Sequence, residues 1–509
     1  MTPTRPSRIL LAGGGTAGHV SPLLALADCL RRRDPGVEIL ALGTSEGLES
    51  RLVPERGYDF ATIPKVPLPR KPSGDLVRLP VNLRRAVAAA GRAIEQVDAQ
   101  VVVGFGGYVS TPAYLAARKA GVPIVIHEQN ARAGVANKVG ARFSDHIGVT
   151  FPGTKLAGGR VIGMPLRHEI VALDRAATRA QARSGLGLRE DLPVLLVTGG
   201  SLGAKRLNDA FEASVATLRD AGVQVLHATG AGKDFVATGG DPSVPYVVLP
   251  YVDRMDLAYA AADAVVCRAG ANTVCELTAV GLPGVYVPLP IGNGEQRLNA
   301  AGVVEVGGGL LVEDADVDPA WVAREIVPLL GDGARLRSMS QAAESVGHRD
   351  ADETLADMVA DAAFYYGLVK FLTEENRPVW SRLSFADAES NFFSAARSGL
   401  YSRVVWPKAG RVDVAELVRT VLAPRARRGL AMLEADEDMI EHYMSIIEER
   451  ARTRQNGATW QLRTLNALKP RVTEPDTPER RAALARVMEL YLTHQQTEEP
   501  VHTWPVGDV

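Results

Sequence analysis

Between Ile9 and about Gly163, short apolar runs alternate with longer stretches that carry apolar residues at helical spacing. The short runs, such as 101–104 and 123–126, are apolar on both faces and rich in β-branched residues, which is typical of buried parallel strands. Helical patterns lie between them, for example at 83–97 and 114–120. These patterns predict an α/β fold, with a doubly wound parallel sheet covered by helices.

The first predicted strand, 9–12, runs into a glycine-rich loop, 13–19, and a helical pattern follows from Ser21. A strand that feeds a helix through glycines gathers free backbone N–H groups at the positive end of the helix dipole. Such a point suits a phosphate, and the glycines let a ligand approach the backbone closely. The loop also carries Thr16 and His19 at the predicted helix entrance.

This loop admits more than one interpretation. Gly13, Gly15 and Gly18 match the G-x-G-x-x-G fingerprint of dinucleotide binding. An NAD-dependent oxidoreductase would also need an acidic residue about 20 residues further on, where Glu38 and Glu46 are the candidates. The simplest alternative is a glycine turn that only packs a helix on a strand, but that leaves the histidine of the loop without a purpose.

Two more predicted strands of this domain end in glycine or polar residues. Phe-Gly-Gly-Tyr at 105–108 follows the strand at 101–103, and His-Glu-Gln-Asn at 127–130 follows the strand at 124–126. Ligands bind at the carboxyl ends of the strands in an open parallel sheet, so these turns and the first loop are expected at one edge. Alternatively, the polar cluster at 127–130 only caps local structure.

The opening pattern repeats further along the chain. A predicted strand at 193–197 runs into a second glycine loop, 198–204, ahead of a helical pattern at 207–218. A later strand, 264–267, ends at Arg268, ahead of another predicted helix. Two α/β domains that face each other form a cleft, which is the usual place for a ligand site.

Three side chains that follow the predicted strand at 264–267 have candidate roles. Arg268 is a candidate partner for a diphosphate. Glu276, placed on the first turn of its predicted helix, is a candidate for binding ribose hydroxyls, or alternatively a carboxylate that stabilises the helix N-terminus. Cys275 has no evident partner base and is expected in the core rather than in catalysis.

Composition narrows the function classes. The 509 residues predict three domains at about 100–200 residues each. A net charge of −2 gives no nucleic-acid signature, so no nucleic acid is expected as a partner. Three cysteines without a C-x-x-C pair predict neither a disulfide framework nor a zinc site, and they suit a reducing cytosol. With no signal peptide pattern and no apolar run of about 18–20 residues, any membrane contact is expected to be peripheral.

Residues 64–92 combine prolines with interleaved basic and apolar side chains, most densely from Leu68 to Arg85. A basic, apolar surface of this kind can rest on anionic lipid head groups. The alternative is a solvated loop followed by an ordinary amphipathic helix, which the spacing alone somewhat favours.

Seven motifs, in this order between Ile9 and about Ala363, resemble those of the MurG family, the GT-B glycosyltransferases that add N-acetylglucosamine to lipid I. They are the stretches 13–19, 105–108, 127–130, 163–167, 199–204, 268–276 and 295–300. The resemblance implies two Rossmann-like domains that face each other across a cleft. Two departures are an alanine at Ala17, where the family often has glycine, and Glu295, where another glutamine is common.

The resemblance also implies roles for residues of these motifs. His19 becomes the candidate general base, Glu276 the ligand of the ribose hydroxyls, and Gln296 the ligand of the N-acetylglucosamine hydroxyls. The remaining implied substrate contacts are Thr16 and Gly18, Tyr108 and Glu128 near the acceptor, Asn130 facing the sugar, Arg167 and Ser201 at the diphosphate or ribose, and Arg268, Ala271 and Thr273, with Ala271 bordering uracil.

The implied reaction transfers N-acetylglucosamine from UDP-GlcNAc to the C4 hydroxyl of MurNAc in lipid I, undecaprenyl-diphospho-MurNAc-pentapeptide, with inversion, and forms lipid II for peptidoglycan. No Asp-x-Asp metal motif stands at a strand exit, so no metal or other cofactor is expected. Helix N-termini and Arg167 are then expected to stabilise the leaving diphosphate. The family also implies a place at the cytoplasmic face of the membrane, contact of Leu68–Arg85 with anionic lipids, and proteins of cell-wall synthesis as partners.

Three domains are predicted, at 1–163, 164–363 and 364–509. In the last, glycine turns disappear and long helical patterns predict an α-helical module. Its stretches 391–400 and 453–461 resemble the C-terminal part of glutamate–cysteine ligase-like proteins, without the sheet that such a ligase needs. Besides the transferase, the alternatives are an NAD-dependent oxidoreductase and a non-catalytic scaffold that carries this tail.

Overall fold

The computed structural model of the chain describes residues 7–66, 75–200, 203–291 and 293–374. Within these residues, two parallel sheets form the centres of two α/β domains. The predicted α/β class is therefore confirmed. From residue 375 onward the predicted helical module lies outside the described residues, and its helices stay a prediction.

The N-terminal sheet has seven strands among the described residues, and every neighbouring pair is parallel. In chain order they are β1 (Arg8–Ala12), β2 (Glu38–Gly43), β3 (Asp59–Thr62), β4 (Val101–Gly104), β5 (Ile124–Glu128), β6 (His146–Val149) and β7 (Gly159–Val161). In space the order is β3-β2-β1-β4-β5-β6-β7, with Leu10 of β1 paired to both Leu40 and Val102. The strand order reverses between β1 and β4, and such a switch point opens a crevice at the carboxyl ends.

Helices cover both faces of this sheet. In the described part they are α1 (Ala17–Arg33), α2 (Glu49–Glu55), α3 (Asp75–Val97), α4 (Gly107–Ala120) and α5 (Val135–Gly140). Alternate residues of a strand point to opposite faces. Accordingly Ile9 of β1 is buried in the cluster that holds Leu23 of α1, whereas Leu10 belongs to the cluster that holds Tyr114 of α4.

The second domain repeats the same arrangement. Its strands are β8 (Val194–Thr198), β9 (Gln224–Ala228), β10 (Tyr246–Leu249), β11 (Ala264–Cys267), β12 (Gly284–Tyr286) and β13 (Gly309–Leu311). Their spatial order is β10-β9-β8-β11-β12-β13, again parallel, so this switch point lies between β8 and β11. The α-helices that follow β7 in the chain are α6 (His168–Val171), α7 (Arg175–Gly185), α8 (Lys205–Glu212), α9 (Val215–Asp220), α10 (Met255–Ala261), α11 (Ala271–Ala279), α12 (Glu295–Glu305), α13 (Pro319–Trp321), α14 (Val327–Gly331), α15 (Gly333–Glu344) and α16 (Ala351–Glu374).

The last described helix returns to the N-terminal domain. Leu355 and Val359 of α16 are fully buried in the cluster formed by α1 and one face of the first sheet. Arg32 of α1 pairs with Asp352 at 2.8 Å. The predicted limits assign residues 351–363 to the second domain, whereas the structure packs them on the first. Apolar spacing predicts a helix but does not specify which of two sheets will bury it.

Two helices of the first domain begin ahead of their predicted starts and contain an internal proline. Helix α1 begins at Ala17, ahead of the predicted start at Ser21, and includes Pro22. Helix α3 begins at Asp75 and includes Pro80. An internal proline removes one helical hydrogen bond, a cost that the buried apolar face of α1 offsets. No described helix is both long enough and apolar enough to span a membrane.

Candidate active site

The two switch points meet at one cleft. In the first domain, the glycine loop follows β1 and the Phe-Gly-Gly-Tyr turn follows β4. In the second domain, β8 ends at the loop that begins with Gly199, and β11 ends ahead of Arg268. Helix α1 contacts both α6 and α11 of the second domain. The strand ends that the sequence singled out therefore border the same interdomain cleft.

A buried carboxylate holds the first glycine loop. Glu49 at the start of α2 is fully buried, and its Oε2 accepts a hydrogen bond from the Gly15 N–H at 3.0 Å. Its Oε1 accepts from the backbone N–H and the hydroxyl of Thr44, at 3.0 and 3.1 Å. A Cβ atom at Gly14 would lie 2.4 Å from the same carboxylate. The loop is thus shaped around Glu49, a residue that the sequence analysis missed.

This contact argues against dinucleotide binding. The Gly15 N–H is already used, and the carboxylate of Glu49 places negative charge where a pyrophosphate would need donors. Neither acidic candidate closes β2, since Glu38 is its first residue and Glu46 pairs with Lys65 at 3.2 Å. The glycines of this loop therefore make room for the buried Glu49 carboxylate and do not form a dinucleotide site.

The turn after β4 packs against the first loop. Gly107 has a φ of +73°, and a Cβ atom there would lie 2.7 Å from the Gly14 carbonyl oxygen. The hydroxyl of Tyr108 lies 3.2 Å from the Thr44 hydroxyl, and its ring lies beside Gly15. Tyr108 is half-buried and supports the loop, so its predicted acceptor contact would have to come from the exposed part of the ring.

His19 lies on the first turn of α1 and is partly exposed. Its Nδ1 is 2.9 Å from the side-chain oxygen of Gln129, which lies at the end of β5. Thr16 is the exposed N-cap residue of α1, and its side chain makes no capping bond. Gly18 is partly exposed between the two. The three predicted residues of this loop are therefore together at the cleft end of α1.

Glu128 has a structural place in the loop after β5. Its side chain accepts from the backbone N–H groups of Asn130 and Gly134, at 3.0 and 2.9 Å, and from Asn137 Nδ2 at 2.9 Å. Glu128 is 2% exposed. The implied acceptor contact is thus replaced by a role in shaping the loop, because the carboxylate is buried and bonded to its own segment.

The same loop bridges the two domains. The backbone N–H of Ala131 donates to Asn299 Oδ1 of α12 at 2.9 Å, and Asn299 Nδ2 lies 3.4 Å from Asn130 Oδ1. Arg132 donates to the Asn293 carbonyl at 2.6 Å. Asn130, predicted to face the sugar, therefore lies at the junction between the β5 loop and α12. Asn299 is a second residue that the sequence analysis missed.

Glu276 forms a polar cluster with Arg167, which is also a predicted substrate contact, and with Tyr259, which was not predicted as a site residue. Its Oε1 accepts from Arg167 at 3.3 Å, and its Oε2 accepts from the Tyr259 hydroxyl at 2.7 Å. Burial, and then the charge of Glu276, raise the pKa of Tyr259 well above its ordinary value, so that the hydroxyl remains a donor. Helix α11 begins at Ala271, so Glu276 lies on its second turn and not on the first turn as predicted. The alternative role at the helix N-terminus is therefore wrong.

Arg268 is engaged by the protein itself. Its guanidinium pairs with Asp314 at 2.6 Å and donates to the carbonyl oxygens of Val287 and Pro288. Its side chain is 13% exposed, so the predicted pairing with a diphosphate would require it to leave these partners. The other two predicted contacts of this segment lie on the first turn of α11, where Ala271 is buried and Thr273 is partly exposed.

Gln296 stands at the start of α12, where its Oε1 accepts from the Leu289 N–H at 2.9 Å. It is partly exposed beside the loop that follows β12. The remaining predicted contact, Ser201, lies outside the described residues, as do residues 67–74 of the basic and apolar stretch.

Family models match both domains. The glycosyltransferase family 28 N-terminal domain matches residues 9–149, and the family 28 C-terminal domain matches residues 194–355. A Streptomyces avermitilis protein is 58% identical over 355 residues, which is 70% of this chain and 98% of that relative. It is named UDP-N-acetylglucosamine–N-acetylmuramyl-(pentapeptide) pyrophosphoryl-undecaprenol N-acetylglucosamine transferase. This chain belongs to the MurG family.

Other members agree with this assignment. A relative of the same name from Mycolicibacterium paratuberculosis is 56% identical over 369 residues, covering 71% of this chain and 90% of the relative. The crystal structure of Acinetobacter baumannii MurG matches with a TM-score of 0.58 and 29% identity, over 70% of this chain and 99% of that chain. The calicheamicin glycosyltransferase CalG4 shares the fold at a TM-score of 0.52 and 20% identity, over 71% of this chain and 99% of its own.

Membership of the MurG family settles the class of the enzyme. The predicted GT-B arrangement is confirmed, and the protein is a glycosyltransferase. The oxidoreductase alternative is wrong, as the contact between Glu49 and Gly15 already indicated. The family models cover residues 9–149 and 194–355, and the resemblance of the tail to ligase-like proteins stays a prediction.

Proposed function

We propose that this chain transfers N-acetylglucosamine from UDP-GlcNAc to the C4 hydroxyl of MurNAc in lipid I and thereby forms lipid II. The names of relatives at 56–58% identity support this substrate pair. The observation that carries the proposal is the contact of α1, which bears His19 at its cleft end, with α11, which bears Glu276. A candidate base and a candidate nucleotide site thus border one cleft.

The donor occupies the side of the cleft formed by the second domain. Glu276, held by Tyr259 and Arg167, accepts hydrogen bonds from the ribose hydroxyls. Arg167 and the N-terminus of α11 stabilise the negative charge of the diphosphate. Gln296 binds hydroxyls of the sugar from the start of α12, and the segment around Ala271 borders uracil.

The acceptor approaches from the first domain, and His19 takes its proton. The C4 oxygen forms a bond to C1 of N-acetylglucosamine while the bond from C1 to the diphosphate oxygen breaks, and UDP leaves with the bonding electrons. The hydroxyl proton goes to His19, because an imidazole is a suitable base near neutral pH. Attack from the face opposite the leaving group gives the β-1,4 linkage by inversion. Thr16 is a further contact at this end of α1.

The test is transfer of labelled N-acetylglucosamine from UDP-GlcNAc to a lipid I analogue by the purified full-length protein. We expect a labelled lipid II analogue, and turnover reduced by about 10²- to 10⁴-fold in His19→Ala with donor affinity unchanged. Glu276→Ala should chiefly weaken donor binding. If UDP-GlcNAc binds with its usual affinity but no label reaches the acceptor, the proposed reaction is wrong.

We further propose that the exposed face of α3 contacts anionic lipid, which extends the peripheral membrane location that the sequence implies. Val81 is 51% exposed, and Arg84, Arg85 and Arg92 are exposed on the same helix. Arginines around an exposed apolar side chain favour a negatively charged membrane surface. Binding to other proteins of cell-wall synthesis stays a prediction.

Co-sedimentation with phosphatidylglycerol vesicles tests this face. Arg84→Glu/Arg85→Glu should weaken vesicle binding by at least about tenfold, at about 1 kcal/mol per basic residue, and high salt should weaken wild-type binding. Arg335→Glu/Arg337→Glu on α15 is the matched control, since both residues are exposed on the second domain. Equal loss in the two double variants would contradict a specific role for α3.

A further inference from the structure

We infer that Gln129 is a positioning residue that holds the His19 ring in the tautomer with its proton on Nδ1. The Nε2 atom is then the basic nitrogen that receives the acceptor proton. This inference rests on the proposed function, because it refines how His19 acts as the base. The key contact joins His19 Nδ1 to Gln129 Oε1 at 2.9 Å, across 110 positions of sequence.

Three contacts connect His19 to Gln129, Gln129 to His127, and His127 to the Gly163 carbonyl oxygen. This carbonyl determines the donor and acceptor in each contact. His127 Nε2 lies 2.9 Å from the Gly163 carbonyl oxygen, which can only accept. The proton of a neutral His127 ring is therefore on Nε2, and its Nδ1 is an acceptor. Gln129 Nε2 lies 3.1 Å from that Nδ1 and donates to it.

A second carbonyl fixes the orientation of the Gln129 amide. Gln129 Nε2 also donates to the His127 carbonyl oxygen at 2.9 Å. Reversing the amide would place its oxygen against a carbonyl oxygen and a ring acceptor, with no proton between them. The amide oxygen is therefore directed to His19 and can only accept. The contact with His19 Nδ1 then requires the proton to be on Nδ1.

The surroundings keep these directions constant. His127 is fully buried and Gln129 is 1% exposed. Burial lowers the pKa of His127 to about 4, so that the ring remains neutral and its Nδ1 remains an acceptor near neutral pH. Phe105 packs beside the ring of His127, with ring centroids 6.1 Å apart. A buried, fully bonded amide is costly to disrupt, which makes it a stable reference for His19.

The neighbouring residues stop the loop from relaxing. Glu128 accepts the N–H groups of Asn130 and Gly134, and Asn137 Nδ2 donates to the carbonyl of His127 at 3.1 Å. The far anchor, Gly163, lies between Ile162 of the first core and Met164 of the second. Hydrogen bonds therefore connect His19, through Gln129 and His127, to Gly163, where the chain passes from the first domain to the second.

Gln129→Met removes the amide while keeping the length of the side chain. Gln129→Glu keeps an oxygen acceptor for Nδ1–H. Its buried carboxyl is expected to be protonated, so that the other oxygen can donate to His127 in place of the amide. We expect Gln129→Met to lower kcat by about 10- to 100-fold with KM for UDP-GlcNAc within twofold, because the ring is then free to adopt the other tautomer. Gln129→Glu should restore part of kcat. Gln341→Met, at an exposed position of α15, is the matched control and should leave kcat unchanged.

The tautomer is measured directly by ¹⁵N NMR of the histidine-labelled full-length protein at pH 8, with His19→Ala used to assign the His19 signals. Wild type should show a protonated Nδ1 and an unprotonated Nε2 at His19. Gln129→Met should show a mixture or the reverse. A protonated Nδ1 in Gln129→Met together with wild-type kcat would overturn the inference.

The two proposals fail in different ways. Wild-type kcat in His19→Ala would show that His19 is not the base, and this outcome contradicts the proposed function whatever Gln129 does. An inactive His19→Ala with wild-type behaviour of both Gln129 variants would contradict only the positioning role. Should Gln129→Met fold poorly, Gln129→Glu and the tautomer of the wild-type protein still decide the question.

Discussion

Single buried histidines link the stability of this protein to pH. His227 lies in the core of the second domain, where its Nδ1 is 3.1 Å from the Tyr246 hydroxyl and its Nε2 is 3.1 Å from Asn208 Oδ1. Burial lowers its pKa to about 4, as it does for His127 in the first domain. In both cases the folded state prefers the neutral ring, because a charged imidazole would lose its hydration.

The sign of the pH effect follows from proton binding. An unfolded histidine binds its proton near pH 6.5, whereas folded His227 does so only near pH 4. Between these values the unfolded state holds more protons, so the free energy of unfolding falls as the pH drops from 7 towards 4. From pH 7 to pH 5 the loss is about 2 kcal/mol for each of the two histidines.

His227→Phe tests this effect, since Phe211, Phe235 and Tyr246 already surround the ring. Urea unfolding at pH 7 and pH 5 should show a smaller pH dependence in the variant than in wild type, by about 2 kcal/mol. His168→Phe, on the short helix α6, is a control because His168 is exposed. An unchanged pH dependence in His227→Phe would show that other groups govern acid stability.

At the scale of elements, the first glycine loop depends on α2. Glu49 joins the loop to the end of β2 through Gly15 and Thr44, and glycine at Gly14 leaves room for its carboxylate. The loop in turn leads into α1, whose first turn carries His19. A change at Glu49 in α2 is therefore expected to move the first turn of α1, which carries His19.

Glu49→Gln replaces one accepting oxygen by an NH₂ group. That group would face a backbone N–H of Gly15 or Thr44, and a buried donor left without an acceptor costs about 1–3 kcal/mol. We expect the free energy of unfolding to fall by that amount in urea titrations, together with a reduced kcat. Glu55→Gln on the same helix is the matched control, because Glu55 is exposed and pairs only with Arg51 among the described contacts. Equal effects of the two variants would contradict the role of Glu49.

At the scale of the whole molecule, α16 completes the first domain from the far end of the transferase region. It buries Leu355, Ala356, Val359 and Ala362 against α1 and the sheet. Arg33 adds ion pairs to Glu353 and Asp357, and the Arg33–Asp357 distance is 2.6 Å. The fold of the first domain therefore needs residues that follow the second domain in sequence.

Two truncations separate this helix from the tail. A chain of residues 1–374 keeps α16 and should retain transfer activity within about twofold and the thermal unfolding midpoint of the first domain. A chain of residues 1–350 exposes the apolar face that α16 covers, at about 1.5–3 kcal/mol for each large buried side chain, and should unfold at a much lower temperature. An inactive but folded 1–374 chain would show that the tail takes part in catalysis.

Much of the fold could be predicted because its signals are local. Apolar runs predicted β4 and β5, and the glycine-rich and polar strand exits predicted the edge of each sheet where ligands bind, since parallel strands bring their carboxyl ends to one edge. The starts of α1 and α3 at Ala17 and Asp75 lie ahead of the predicted helical patterns, because Pro22 and Pro80 interrupt the local pattern of good helix formers. Helix propensity is a weak guide to where a helix begins when burial of the helix's apolar face offsets the hydrogen bond that a proline removes.

The sequence by itself determined the strands, the two glycine loops and the resemblance to the MurG family, because periodicity and motif spacing depend on near neighbours. Only the tertiary structure decided which polar groups remain available to substrates. It bonds Glu128 within its own loop, pairs Arg268 with Asp314, and connects His19 through Gln129 to His127. These pairings depend on the strand order and on the domain crossing, which bring residues far apart in sequence within hydrogen-bonding distance.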